Sequence, residues 1–148
     1  MKLYVSALLA MLISSTVAVA QETKVAKKDL PAPVQKAVDE QAKGAVVLGF
    51  TKEVEDGKTE YEAELRVNGH SKDISFDPAG NIVAVEEEVK LESLPPAARA
   101  ALQKAAEGGT LRKVESVTEG GKSFFEGSIR KGGKSSEVQV DKDGARPN

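Results

Sequence analysis

His70 is the sole imidazole of this 148-residue chain, and its neighbours decide how it reads. General-base or metal chemistry would need a second group held beside it. It follows Asn68-Gly69, a tight-hairpin signal, and so reads as a solvated turn residue. Asp141-Lys142-Asp143-Gly144 looks like the opening of a calcium loop, but no glutamate follows at the twelfth position. The comparable Asp77-Pro78-Ala79-Gly80 lacks the middle acid, and a β-turn with a left-handed glycine accounts for both. Glu86-Glu87-Glu88 puts three carboxylates in a row, yet strand alternation sends Glu87 to the opposite face. The run reads as a charged, edge-protecting strand end. No glycine-rich phosphate loop, catalytic set, cofactor site or metal constellation assembles, so no cofactor is expected.

The remaining candidates form a surface. Glu62 and Arg66, like Glu126 and Arg130, stand four apart on the polar face of two alternating segments. Such pairs make either solvated networks of little energetic weight or a charged binding face. Phe124 adjoins Phe125, so one ring must point away from the core. With Phe125 in the core, Phe124 lies on the open face among Glu126, Ser128 and Arg130, where an aromatic can anchor a protein contact. The partner-binding residues expected are therefore Phe124, Glu62, Arg66, Glu126 and Arg130.

What positions them is an internal repeat. Leu30-Pro31 recurs as Leu94-Pro95, an offset of 64. Held without a gap, that offset pairs Gly44 with Gly108, Gly57-Lys58 with Gly121-Lys122, Gly69 with Gly133 and Gly80 with Gly144. Tyr61 then matches Phe125, Leu65 matches Ile129, Ile74 matches Val138 and Phe76 matches Val140. Turn residues meet turn residues, and apolar residues meet apolar ones. Each unit should open with a helix capped by Asp29 or Ser93, with proline in its first turn and apolar residues at helical spacing. Gly44 and Gly108-Gly109 end the two helices.

Strands follow. Residues 59–67 alternate, with Tyr61, Ala63, Leu65 and Val67 on one face and Glu60, Glu62, Glu64 and Arg66 on the other. Residues 72–77 and 81–89 continue the meander, while the first strand, residues 45–54, is apolar on both faces early on, a pattern compatible with a bulge. The second unit repeats this order through its third strand. About seven strands and two helices are expected, with the side bearing Tyr61, Leu65, Ile74, Phe76, Phe125, Ile129, Val138 and Val140 under the helices.

Composition narrows the function. Met1-Lys2, the apolar run from Leu3 to Ile13 and Ala18-Val19-Ala20 make a secretory signal cut after Ala20. The run is too short to span a bilayer, for which about 20 apolar residues are needed. Twenty basic and 23 acidic residues remain, so no basic field for nucleic acid or anionic lipid exists. With no cysteine, disulfides, thiol chemistry and thiolate metal sites are excluded. The expected organisation is a signal peptide (1–20), a disordered lead-in (21–28), a first repeat (29–92) and a second repeat lacking its last strand (93–148). The fold class is α+β: two tandem helix-plus-antiparallel-meander repeats sharing a sheet, helices packed on one face.

The unit L-P-x-x-V, a short helix, D-G-K-x-x-Y-E, an N-G turn and F-D-x-x-G-N resembles the PepSY-like domain, and within it the β-lactamase-inhibitor-like, PepSY-like secreted proteins. Leu30-Pro31, Val34, Asp56-Gly57-Lys58, Tyr61-Glu62, Asn68-Gly69, Phe76-Asp77 and Gly80-Asn81 carry the likeness, and Leu94-Pro95, Gly121-Lys122, Phe125-Glu126, Gly132-Gly133 and Val140-Asp141 repeat it. The resemblance implies an exported bacterial protein, periplasmic or secreted, that binds another exported protein without catalysing a reaction. An inhibitor or regulator of a secreted or periplasmic hydrolase fits that description. The alternative is a periplasmic carrier or sensor of a small ligand or cation.

Overall fold

The computed structural model of the chain describes residues 21–55 and 57–147, so the signal expected at residues 1–20 lies outside the described residues. Strand β1 (Gln21–Lys24) comes first, followed by a single 3-10 turn, Lys27–Asp29, and helix α1 (Ala32–Gln41). Strands β2 (Val46–Glu55), β3 (Lys58–Val67), β4 (His70–Phe76) and β5 (Ile82–Glu88) follow. A second 3-10 turn, Leu91–Ser93, leads into α2 (Pro96–Ala105) and then β6 (Thr110–Glu119), β7 (Lys122–Lys131) and β8 (Lys134–Val140). The strands form one antiparallel sheet in sequence order, β1 through β8. From the first 3-10 turn to β4, every element recurs 64 residues later. The bulge recurs with them, between Val47 and Gly49 in β2 and between Leu111 and Lys113 in β6.

Residues 21–28, expected as a disordered lead-in, instead carry β1 and the first 3-10 turn. The register explains why so polar a segment is held. Gln21 and Lys24 face Val54 and Thr51 of β2 just as Val85 and Glu88 face Thr118 and Glu115 of β6. β1 thus occupies on β2 the place that β5 occupies on β6, and backbone hydrogen bonding holds it without an apolar side chain of its own.

The helix caps also differ from expectation. Asp29 and Ser93 sit in the 3-10 turns, and the capping positions are Pro31 and Pro95, without side-chain caps. Ser93 Oγ donates to Lys90 O at 2.6 Å, closing its turn. Proline fixes φ at the helix entry and has no N–H to satisfy there. The preceding leucines, Leu30 and Leu94, are pulled into the core at 4% exposure each.

Both helices cover the same sheet face. Val34 and Val38 of α1 pack with Ala63, Leu65, Ile74 and Phe76, while Ala98 and Leu102 of α2 pack with Val114 and Val140. The helix side therefore contains two hydrophobic clusters, one on either side of the β5–β6 seam. Burying a Phe76- or Leu65-sized side chain contributes about 1.5–3 kcal/mol. Two glycines fix how closely the sheet turns meet the helices. A Cβ on Gly80 would stand 2.7 Å from the Pro33 carbonyl oxygen, and one on Gly144 would stand 2.7 Å from that of Ala97.

Candidate functional site

The face away from the helices is built by the other half of each strand's alternation. Pairing places Glu64, Asp73, Glu86, Val117 and Phe124 on one cross-strand row. The next row carries Arg66, Ser71, Glu88, Glu115, Glu126 and Gln139. Three carboxylates thus stand side by side in each of two adjacent rows. Directly opposed like charges destabilise a sheet, so the arrangement opposes folding.

The acids respond to one another. Oxygens of Asp73, Glu86 and Glu115 all lie within 4.8 Å of one another. Burial, reinforced by Glu115, Glu126 and Asp73, pushes the Glu86 carboxyl up to about 7. Burial, with Asp73, Glu86, Glu64 and Glu22 adding to it, likewise pushes Glu62 up to about 7. Asp73 is raised by burial and by Glu115 and Glu64, against the opposing pull of Lys113. Lys113 is the cation at this point, its Nζ lying 2.7 Å from Glu115 Oε1. Desolvation disfavours its charge, but Glu115, Asp73 and Glu86 together hold its ammonium above the ordinary range. Glu88 has Ser71 as its neighbour on β4, whose N and Oγ donate to its Oε2 at 3.1 and 3.4 Å and hold its pKa down. Beside the carboxylate rows, a groove of about 330 Å³ is walled by Glu53, Glu60, Glu62, Glu86 and Glu119, with Lys58 also on its wall.

The five expected partner-binding residues all fall on this face, in two groups. Glu62 and Arg66 lie on β3, and Phe124, Glu126 and Arg130 on β7. Phe124 requires a correction: it points away from the helices as expected, yet it is only 7% exposed. Val117 stands directly opposite it and is equally enclosed, at 3%. Alternation assigned the ring to the right face but not its burial. The charged pairs do not form the networks considered above. Arg66 Nη1 donates to Gly69 O at 3.4 Å, and Glu126 Oε2 accepts from Gln139 Nε2 at 2.9 Å. Arg66 and Arg130 are exposed, and Glu62 and Glu126 half-buried.

Glu86–Glu88 is also relocated. β5 lies inside the sheet between β4 and β6, so the run protects no edge. Glu87 does turn to the other side, 3.7 Å from Lys72 Nζ. Glu64, Asp73 and Glu115 were missed as site residues. The Asn68-Gly69 hairpin already implies the Glu64–Asp73 pair, whereas Glu86–Glu115 depends on a register set across α2. His70 is exposed at its turn. Asp77 and Asp141 each fold their own turns, accepting from Ala79 N and Asn81 N, or from Asp143 N and Ala145 N, at 2.9 Å. The carboxylate face can hold protons near neutrality and attract cations.

The architecture defines an α+β class: an open antiparallel sheet with two helices on one side. No family model matches the sequence, and no curated protein matches it. Solved structures do share the fold. A protein from Bacteroides eggerthii, proposed to be periplasmic, superposes with a TM-score of 0.63 at 19% identity, covering 78% of this chain and 84% of that one. A DUF2874 family protein from Bacteroides ovatus gives 0.61 at 18%, covering 80% and 85%. A BLIP-like protein from Bacteroides fragilis gives 0.58 at 18%, covering 80% and 84%. At these identities the likeness is one of fold.

Proposed function

We propose that this chain is an exported, non-enzymatic binding protein of the PepSY-like, β-lactamase-inhibitor-like kind. In this reading two tandem units share one sheet, and the sheet's open face receives another exported protein. A secreted or periplasmic hydrolase is the partner class that the resemblance implies. The observation that carries the reading is the pair of carboxylate rows, Glu64–Asp73–Glu86 and Glu88–Glu115–Glu126. Mutual repulsion across neighbouring strands costs stability and is relieved when a surface of opposite charge covers it. The BLIP-like fold neighbour supports the same reading.

The test is retention of an envelope protein by three immobilised baits. Wild type and Glu40→Lys, altered on the exposed side of α1, should retain the same partner, whereas Glu64→Lys/Glu126→Lys should lose it. Equal retention by all three would count against the open face.

The closely grouped oxygens of Asp73, Glu86 and Glu115 favour a second reading, a carrier or sensor of a cation. It predicts that added calcium raises the melting temperature and that chelator reverses the rise.

A further inference from the structure

We infer that the end of the sheet carrying the β7–β8 turn docks on an anionic lipid surface. The turn lies beyond the carboxylate rows, so this docking is independent of the open-face reading above. Overall charge gives no basic field, yet folding gathers cations at this end that the near balance of the whole chain conceals. Alternation puts Arg130 on the open side of β7 and Lys131 on the helix side, and Lys134 stands directly opposite Lys131 across Gly132-Gly133. Arg112 is the bulged residue of β6, between the pairs Leu111–Ile129 and Lys113–Ser128. All four cations are exposed. Lys131 Nζ donates to Glu107 O at 2.8 Å, whereas Arg112, Arg130 and Lys134 form no ion pair among the described residues. Glu107 and Glu137 are the acids beside them. Positive charge thus surrounds the turn on both faces of the sheet. That suits end-on contact with a layer of lipid phosphates better than a segment laid along one face.

The internal repeat points the same way. At the offset of 64, the first-repeat counterparts of Arg112, Lys131 and Lys134 are Leu48, Val67 and His70. Val67 pairs with His70 in the register in which Lys131 pairs with Lys134. The same hairpin is therefore built without these cations, and the fold does not require them. The Lys131–Lys134 pair even opposes it, because like charges facing across strands destabilise a sheet. An anionic surface relieves that repulsion.

Exposed aliphatic side chains at the same end decide what kind of anionic surface fits. The antiparallel order brings the β3–β4 turn and the start of β2 to the end that carries the β7–β8 turn. There Val46, Val47 and Leu48 are 62%, 41% and 50% exposed, and Arg66 stands opposite Val46. β1 covers β2 only from Thr51 onward, with Val25 N donating to Phe50 O at 3.0 Å, so this stretch is left bare. Aliphatic groups beside cations gain by entering a lipid interface, whereas an acidic protein segment offers them nothing.

The experiment is vesicle flotation of the exported protein, beginning at Gln21 so that the apolar leader contributes nothing. Vesicles contain phosphatidylglycerol and phosphatidylcholine in equal parts, or phosphatidylcholine alone. Wild type should bind the anionic vesicles about tenfold or more tightly than the neutral ones. Each cation near an anionic surface carries about a fivefold factor, so Arg112→Gln/Lys134→Gln should weaken binding about twentyfold. Lys58→Gln/Lys142→Gln removes the same charge at the opposite end of the sheet and should retain it. Val46→Ser/Leu48→Ser should lose the part of the binding that survives high salt. Melting curves confirm that each variant is folded. Equal weakening by the two charge pairs would reduce the effect to diffuse electrostatics and overturn the inference. Absent flotation of wild type, with binding of a fluorescein-labelled Glu-Ser peptide in its place, would overturn it in favour of an acidic protein segment. Absent flotation with a dimer in sedimentation velocity that Arg112→Gln/Lys134→Gln dissolves would overturn it in favour of a second copy of this chain.

Discussion

At the residue scale, Glu62 and Glu86 connect the proposed binding face to folding stability. Each carboxyl is raised from 4.5 to about 7 in the fold, chiefly by burial. Between those values the native state binds more protons than the unfolded chain, so stability falls as pH rises from 4.5 past 7. Both groups keep solvent contact, so each accounts for a loss on the order of 1 kcal/mol after screening. Asp77 and Glu88 have lowered pKa values and act in the opposite sense, gaining stability with pH below the ordinary carboxylate range. The melting temperature should therefore decline from pH 5 to pH 8, and Glu62→Gln should raise it at pH 8 while leaving it nearly unchanged at pH 5. A flat profile for wild type across that range would contradict the burial of these groups. Phe124→Ala should destabilise the chain by about 3 kcal/mol, as expected for an enclosed ring. A loss below about 1 kcal/mol in urea unfolding would restore Phe124 to solvent.

Elements explain which parts of this site could be read in advance. The strands on either side of Asn68-Gly69 pair in a register set by a two-residue turn, so Glu64 opposite Asp73 follows from the sequence. Asp73 opposite Glu86 crosses an irregularity between Ser75 and Phe76, and Glu86 with Glu115 requires the position of α2 and its flanking loops. No local signal carries that register, and the trio remained unseen. β1 was missed for a related reason: Gln-Glu-Thr-Lys has no apolar alternation, and the edge of β2 supplies its order. Phe124 shows the limit of period-two reasoning, which assigns faces but not enclosure. The turn glycines were legible, and Gly80 offers a sharp test. It has φ +84° and no room for a Cβ beside Pro33, so Gly80→Ala should cost about 2 kcal/mol or more. Gly57 has φ +77° in open space, so Gly57→Ala should cost about 1 kcal/mol. Comparable losses in thermal unfolding of the two variants would mean that the β4–β5 turn does not rest on α1.

On the scale of the whole molecule, the two hydrophobic clusters are separate but the sheet is not. β5 closes the first meander and supplies β6 with its pairing partner, so neither half ends where the other begins. The fragment 94–148 lacks β5, exposes Val117 and falls near the size at which burial is marginal. It should show no cooperative unfolding by circular dichroism, and a sigmoidal transition from it would make the halves independent domains. The same continuity produces the acidic face, because Glu86 comes from the first half and Glu115 from the second. The most direct test of that face is site-specific photo-crosslinking in cells exporting the protein. A photoreactive residue would be placed at Ser75 or Ser128 on the open face, or at Lys36 or Gln103 on the helices. A shared protein adduct from both sheet positions and none from the helices is the predicted result; an adduct from the helix positions alone would contradict it.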